Sequence, residues 1–152
     1  MLPADPAVAE LLPGVAALPD GDLTPERVDR VVTAAADALR RRSVRLLQAP
    51  ATWAGIGQSV RSPGTVLADR EGTSLDLTLT LAAVLERAGL RPLVWLVEGA
   101  GADGAHAFLG CWRGGSASPG AAITDLDVLA RLVAGGEIRL VETVLLLSLI
   151  HI

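Results

Sequence analysis

Apolar positions repeat with a helical period in the first half of the chain and form short continuous runs in the second. Thr24-Pro25-Glu26 reads as an N-cap, a proline in the first helical position and an early acid. Val28, Val31, Val32, Ala35 and Leu39 follow at helical spacing, and Arg40-Arg41-Arg42 suits the negative end of that helix's dipole. A second helix is predicted from Ser74 to Ala88. Thr73 is its N-cap, Asp76 three residues on completes a capping-box variant, and Gly89 closes it at C′. Its Leu75, Leu77, Leu79, Leu81, Ala82, Val84, Leu85 and Ala88 cover most of the circumference. Only Asp76, Thr80, Ala83 and Arg87 make a weaker stripe. A helix apolar nearly all round is buried nearly all round, which makes this one the centre of the fold.

After Pro92 the period changes. Leu93 to Val97 is a continuous apolar run, typical of a buried strand, and His106 to Trp112 is a second. Gly99, Gly101 and Gly104 make a loop of Glu98 to Ala105, and Gly114 to Gly120 is another. Thr124 is placed to cap a short helix from Asp125 to Val133, and Gly135-Gly136 turns into a third strand, Ile138 to Leu145. Upstream, Val44 to Leu47 reads as a short strand, Trp53 to Pro63 as a loop, Gly64 to Leu67 as a helical turn and Glu71-Gly72 as a turn. The sum is an α+β layout, with a central buried helix packed on a small antiparallel sheet. Residues 1–23 read as a Pro/Ala/Gly-rich N-terminal segment with room for one short helix, Pro6 to Leu12. Residues 24–145 read as the domain.

Composition narrows the function. The chain has 152 residues, 51% hydrophobic, with net charge −4, so a folded core is expected and a general nucleic-acid surface is not. One cysteine, Cys111, leaves no internal disulfide framework and no multi-Cys metal site, and no metal-ligand spacing or cofactor motif occurs. No apolar run approaches the roughly 18 residues of a membrane span, and no signal peptide is visible, so a cytoplasmic setting is the default. All 13 basic residues are Arg, and Lys, Asn and Tyr are absent, a bias that fits a GC-rich coding sequence. Against it, Ser148-Leu149-Ile150-His151-Ile152 is out of character. Residues 146–152 therefore read as a non-native tail on a truncated gene.

Gly72-Thr73-Ser74-Leu75-Asp76-Leu77, the turn Gly89-Leu90-Arg91-Pro92, the strand opening His106-Ala107-Phe108 and the later Glu142-Thr143 form an ordered set. Gly57-Gln58-Ser59-Val60-Arg61-Ser62-Pro63 precedes it. Together they resemble the transglutaminase-like superfamily, with its papain-like core, and within it the domain type found in large bacterial helicase-like proteins. The resemblance covers roughly Val44 to Thr143. It implies a nucleophile at a helix N-terminus, where dipole and free N–H groups favour negative charge. It also implies a histidine base on a neighbouring strand and an acid that orients the imidazole. Carried over position by position, Ser74 stands at the nucleophile, His106 at the base and Glu142 at the orienting acid, with Gln58 as an oxyanion donor by analogy.

Two departures matter. Ser replaces the family's Cys at position 74, and Ala100 to Ala105 looks inserted before His106. A thiol is readily held as a thiolate beside imidazolium, whereas a serine hydroxyl needs proton transfer in step with attack. The leading expectation is therefore a catalytically degenerate domain that binds protein or peptide, or is structural, within a larger cytoplasmic protein. The resemblance implies that this protein carries a helicase-type ATPase. The alternative is an active hydrolase or acyl transferase built on Ser74, His106 and Glu142. Cys111 falls on the strand face opposite His106 and reads as a core residue, while Trp112 shares the face of His106. Asp125 and Asp127 are substitute acids that a helix start already explains.

Overall fold

The computed structural model describes residues 2–15, 24–47, 59–97, 106–113 and 122–141. Its elements are α1 (Pro6–Leu11), a 3-10 turn (Leu12–Gly14), α2 (Pro25–Arg41), β1 (Arg45–Leu46), α3 (Pro63–Asp69), β2 (Glu71–Gly72) and α4 (Ser74–Arg87). They continue with β3 (Arg91–Val97), β4 (His106–Trp112), α5 (Leu126–Ala134) and β5 (Ile138–Val141). The arrangement is a mixed α+β one. β3, β4 and β5 form an antiparallel sheet with β4 in the middle, and β1 and β2 form a two-stranded parallel pair. Among the described residues, no helix is long and apolar enough to cross a membrane.

α4 packs on α1, α2 and α3 and also on β3 and β4. Leu77, Leu81, Ala82, Ala83, Val84 and Leu85 are fully buried in consequence. Three of the four positions of the stripe expected to be weaker are buried as well, Asp76 at 1%, Thr80 at 0% and Ala83 at 0% exposure, while Arg87 is exposed. Asp76 and Thr80 are tolerated because they are bonded. Thr80 Oγ1 donates to the Asp76 carbonyl (2.8 Å), and the Asp76 carboxylate serves the helix N-terminus. A hydroxyl returning to the carbonyl four residues back needs no outside partner.

The N-terminal segment joins the same core. Val8, Leu11 and Val15 belong to one cluster with Val28, Val31, Leu39, Leu81 and Leu85. Asp5 explains how so Pro-rich a stretch is held. One of its carboxylate oxygens accepts from Ala7 N (2.9 Å) and caps α1, and the other accepts from Gly64 N (3.2 Å) in the first turn of α3. One side chain thus satisfies orphan donors on two helices, the second of them fifty-nine residues further along the chain from Asp5.

Three local expectations change. Glu71-Gly72 is not a turn but β2, because Arg45 N and Leu47 N donate to the carbonyls of Arg70 (2.9 Å) and Gly72 (2.8 Å). The turn before it is made by Arg70, in the left-handed region at φ 55°. α3 runs beyond the single turn read at Gly64–Leu67, since Ser62 caps it by accepting from Thr65 N (3.1 Å) and Pro63 opens it. Asp125, not Thr124, caps α5, accepting from Asp127 N (2.9 Å) and Val128 N (3.1 Å). The three strands of the larger sheet fall where the apolar runs predict them, with β5 described as far as Val141, but β3 is an edge strand and not the buried one its apolar run suggests, with Leu96 and Val97 exposed.

In the sheet, Trp95 on β3 lies opposite Phe108 on β4, and the two rings stack 5.4 Å apart at 14°. The indole reaches over Gly110, where a Cβ would stand 2.5 Å from Trp95 Nε1 and 3.4 Å from Ile138 Cγ2. Gly110 is therefore the residue that lets the indole lie against β4. Gly110→Ala should displace it and cost about 1–3 kcal/mol, the usual scale of overpacking. Urea unfolding with tryptophan emission measures both effects. An unchanged midpoint with unchanged emission would show that the indole does not depend on this glycine.

Candidate functional site

The site begins at the N-terminus of α4. Thr73 is extended (φ −70°, ψ 169°), its Oγ1 accepts from Asp76 N (3.2 Å), and Asp76 Oδ2 accepts from Thr73 N (3.0 Å). The capping box read from the sequence is thus complete, and it sets Ser74 in the first helical position, half-buried. Here the dipole and the early N–H groups favour negative charge. The Ser74 hydroxyl makes no hydrogen bond among the described residues.

His106 is the first residue of β4, opposite Val97. Thr78 ties its neighbourhood to α4, since Thr78 Oγ1 donates to the carbonyl of Ala107 (3.2 Å). Thr78 lies one turn, about 6 Å of axial rise, beyond Ser74 on the same helix face. The structure therefore brings the start of β4 alongside the N-terminal turns of α4. It does not join the two side chains directly. Along β4, Leu109 and Cys111 enter the cluster that holds α4, and alternation sends His106, Phe108 and Trp112 to the other face. The imidazole stacks on Phe108, centroids 6.2 Å apart at 27°. The opposite-face placement of Cys111 and the shared face of Trp112 agree with the alternation read from the sequence.

Two further positions, Gln58 and Glu142, lie outside the described residues, as do the Ala100 to Ala105 insertion and the tail 146–152. The strand that leads to Glu142 is in place: β5 runs antiparallel to β4 with Val141 opposite Leu109. Asp125 spends its carboxylate on the α5 cap. Among the described residues, no group of three His, Cys, Asp or Glu is arranged to hold a metal ion.

One residue was read too narrowly from the sequence. Asp76 is more than a cap, because its second oxygen, Oδ1, accepts from Arg61 N (2.9 Å). The Val60-Arg61-Ser62-Pro63 motif is thereby fastened to the helix that carries Ser74. The Arg61 guanidinium reaches the Glu71 carbonyl (3.5 Å) and the carboxylates of Glu71 (3.6 Å) and Asp69 (3.7 Å). A sequence signal existed: a capping box occupies one carboxylate oxygen, so a buried box acid needs a second donor.

Cys111 has no part in this chemistry. Burial in the core pushes its thiol up to about 11, so at neutral pH it is protonated and unreactive. The chain has no Lys and no Tyr, which makes Cys111 the one side chain that titrates between pH 9 and 11. The folded state holds the proton more tightly than the unfolded state, so stability is full below pH 9. It should fall as pH rises through the window between 9.0 and about 11. Stability measured against pH should show that loss in the native chain and not in Cys111→Ala. Equal slopes in both would place the thiol in contact with water.

Compared with known proteins, the chain matches no family model, no curated protein and no solved structure.

Proposed function

We propose that this chain is a transglutaminase-like domain of the papain type whose site has lost its chemistry. In this reading it binds protein or peptide, or serves a structural role, within a larger cytoplasmic protein of the helicase-type ATPase class. One observation carries the reading. Ser74 opens a helix with a complete capping box, and the next turn of that face is hydrogen-bonded beside His106. This sets the helix position of a nucleophile next to the strand position of a base, while the imidazole itself lies on the strand face away from α4. The hydroxyl at position 74 is what the reading turns on. A helix N-terminus lowers the pKa of a thiol into the neutral range, but the same field leaves an alcohol protonated. Without a base hydrogen-bonded to Ser74, nothing in the described geometry removes that proton.

The proposal is tested by putting the sulfur back. The native chain is expected to show no amidase, esterase or transglutaminase turnover above background. Ser74→Cys is expected to give a thiol that alkylates fast at neutral pH, with a pKa about one unit or more below the free value of 8.5. Adding His106→Ala should return it toward that value. The buried Cys111 keeps the background low. A thiol that titrates like free cysteine, with no response to His106→Ala, would reject the site. Turnover of an ester by the native chain, abolished by Ser74→Ala, would instead establish the serine hydrolase.

A further inference from the structure

We propose that the outer edge of β3 pairs with the same edge of a second copy of this chain, joining two three-stranded sheets about a twofold axis. Hydrogen-bond alternation along β4 shows which groups that edge presents. Arg113 N, one residue past β4, donates to the Glu137 carbonyl (2.7 Å). Odd-numbered residues of this strand therefore turn their N–H and C=O groups toward β5, and even-numbered ones toward β3. The even-numbered residues His106, Phe108, Gly110 and Trp112 lie opposite Val97, Trp95, Leu93 and Arg91. Those four residues of β3 thus bond to β4, and Pro92, Val94 and Leu96 turn their backbone groups outward. Pro92 stands where a missing N–H costs the sheet no bond. Val94 and Leu96 each offer both a donor and an acceptor at the edge.

These groups are self-complementary. An antiparallel twofold centred on Trp95 sets Val94 opposite Leu96 of the partner subunit and Leu96 opposite the partner's Val94. Each pair exchanges two N–H···O bonds, so every donor and acceptor of both residues is used. Centring on Val94 instead sets the Leu96 carbonyl against the partner's Pro92, which has no N–H to give. The side chains agree with the first register. Val94 meets the partner's Leu96 on one face, and Leu93 meets the partner's Val97 on the other, so each cross-strand pair is apolar. Leu96 and Val97, 58% and 44% exposed, are the residues this covers. The Trp95 indole lies back over Gly110 of β4, away from the axis. Edges that stay free in natural proteins are short or carry charge or proline. β5, the other edge, is four residues long and carries Arg139, paired to Asp29 (2.9 Å). β3 has seven residues, and its stretch 93–97 holds no charge, proline or glycine. No described strand lies on its outer side. The pairing makes no use of the chemistry proposed at Ser74, so each stands or fails without the other.

Sedimentation of the full chain over a micromolar concentration series tests the pairing, with a monomer–dimer equilibrium expected. Leu96→Lys puts a charge on the edge and is expected to weaken the dimer about tenfold or more. Its thermal midpoint in dilute solution should stay close to the native one, since Leu96 is exposed. The register is read by oxidation of Leu93→Cys combined with Val97→Cys in one chain. Positions 93 and 97 of two copies face each other in a non-hydrogen-bonded pair, with Cα atoms about 4.5 Å apart, within disulfide reach. The double variant is therefore expected to form covalent dimers. Neither single variant should, because like positions lie about 13 Å apart along the strands. The native Cys111 is buried and stays out of the reaction. A native chain that remains monomeric through the series overturns the proposal. So does a dimer that Leu96→Lys leaves intact, or cross-linking as efficient in the single variants as in the double one. Should Leu96→Lys fail to fold, the native series and the cysteine pair decide.

Discussion

Burial of α4 is the constraint on which the other elements depend. A helix buried over most of its length must satisfy its buried polar groups without bulk water, and each one left unmade costs about 1–3 kcal/mol. Three buried polar residues meet that condition in three ways. Thr80 bonds back to its own helix, Thr78 bonds across to the Ala107 carbonyl, and Asp76 bonds to the cap and to Arg61. The last two are also the contacts that fix β4 and the Arg61 segment against α4. The need to satisfy one helix therefore sets the positions of the elements that surround its N-terminus. Ala82 and Ala83 complete the picture, because small side chains at 0% exposure allow close packing on a helix surrounded by other elements.

What was legible in the sequence is what is local. The caps at Thr24 and Thr73, the stop at Gly89 and the apolar runs of β3 and β4 are each set within a few residues, and each stands where its pattern placed it. The pairing of β1 with β2 was not legible. Two residues a side carry no period, and their partners are twenty-six positions apart. The fate of the Pro-rich start was equally hidden, because it depends on a second oxygen of Asp5 meeting Gly64. The short cap at α5 was misassigned by one residue, since Thr124 and Asp125 are both good capping types and only geometry separates them. At the site, the positions of Ser74 and His106 could be placed on their elements by motif. The joining of Arg61 to Asp76 could not, because it is a backbone contact made by the tertiary fold.

β4 divides the site's surroundings by a period of two. Leu109 and Cys111 go to the core shared with α4 and α2, while His106, Phe108 and Trp112 take the opposite face with Trp95 of β3. The stack of His106 on Phe108 and of Phe108 on Trp95 gives the imidazole a flat apolar support. Gly110 is part of that support, since the indole occupies the space a side chain would need.

The division also bears on the choice between chemistry and binding. Nucleophilic attack near neutral pH needs a group that ionises easily and surroundings that favour the ion. This chain has both, but at different places. Position 74 offers the helix N-terminus and holds an oxygen that remains protonated there. Position 111 holds the sulfur, in a core where burial drives its pKa to about 11. Neither can take over from the other by a small movement, because Cys111 faces the core and the strand would have to shift by one residue to turn it over. Such a shift would turn every apolar residue of β4 out of the core. The fold thus keeps a hydroxyl at the head of α4 and the thiol of Cys111 in the core.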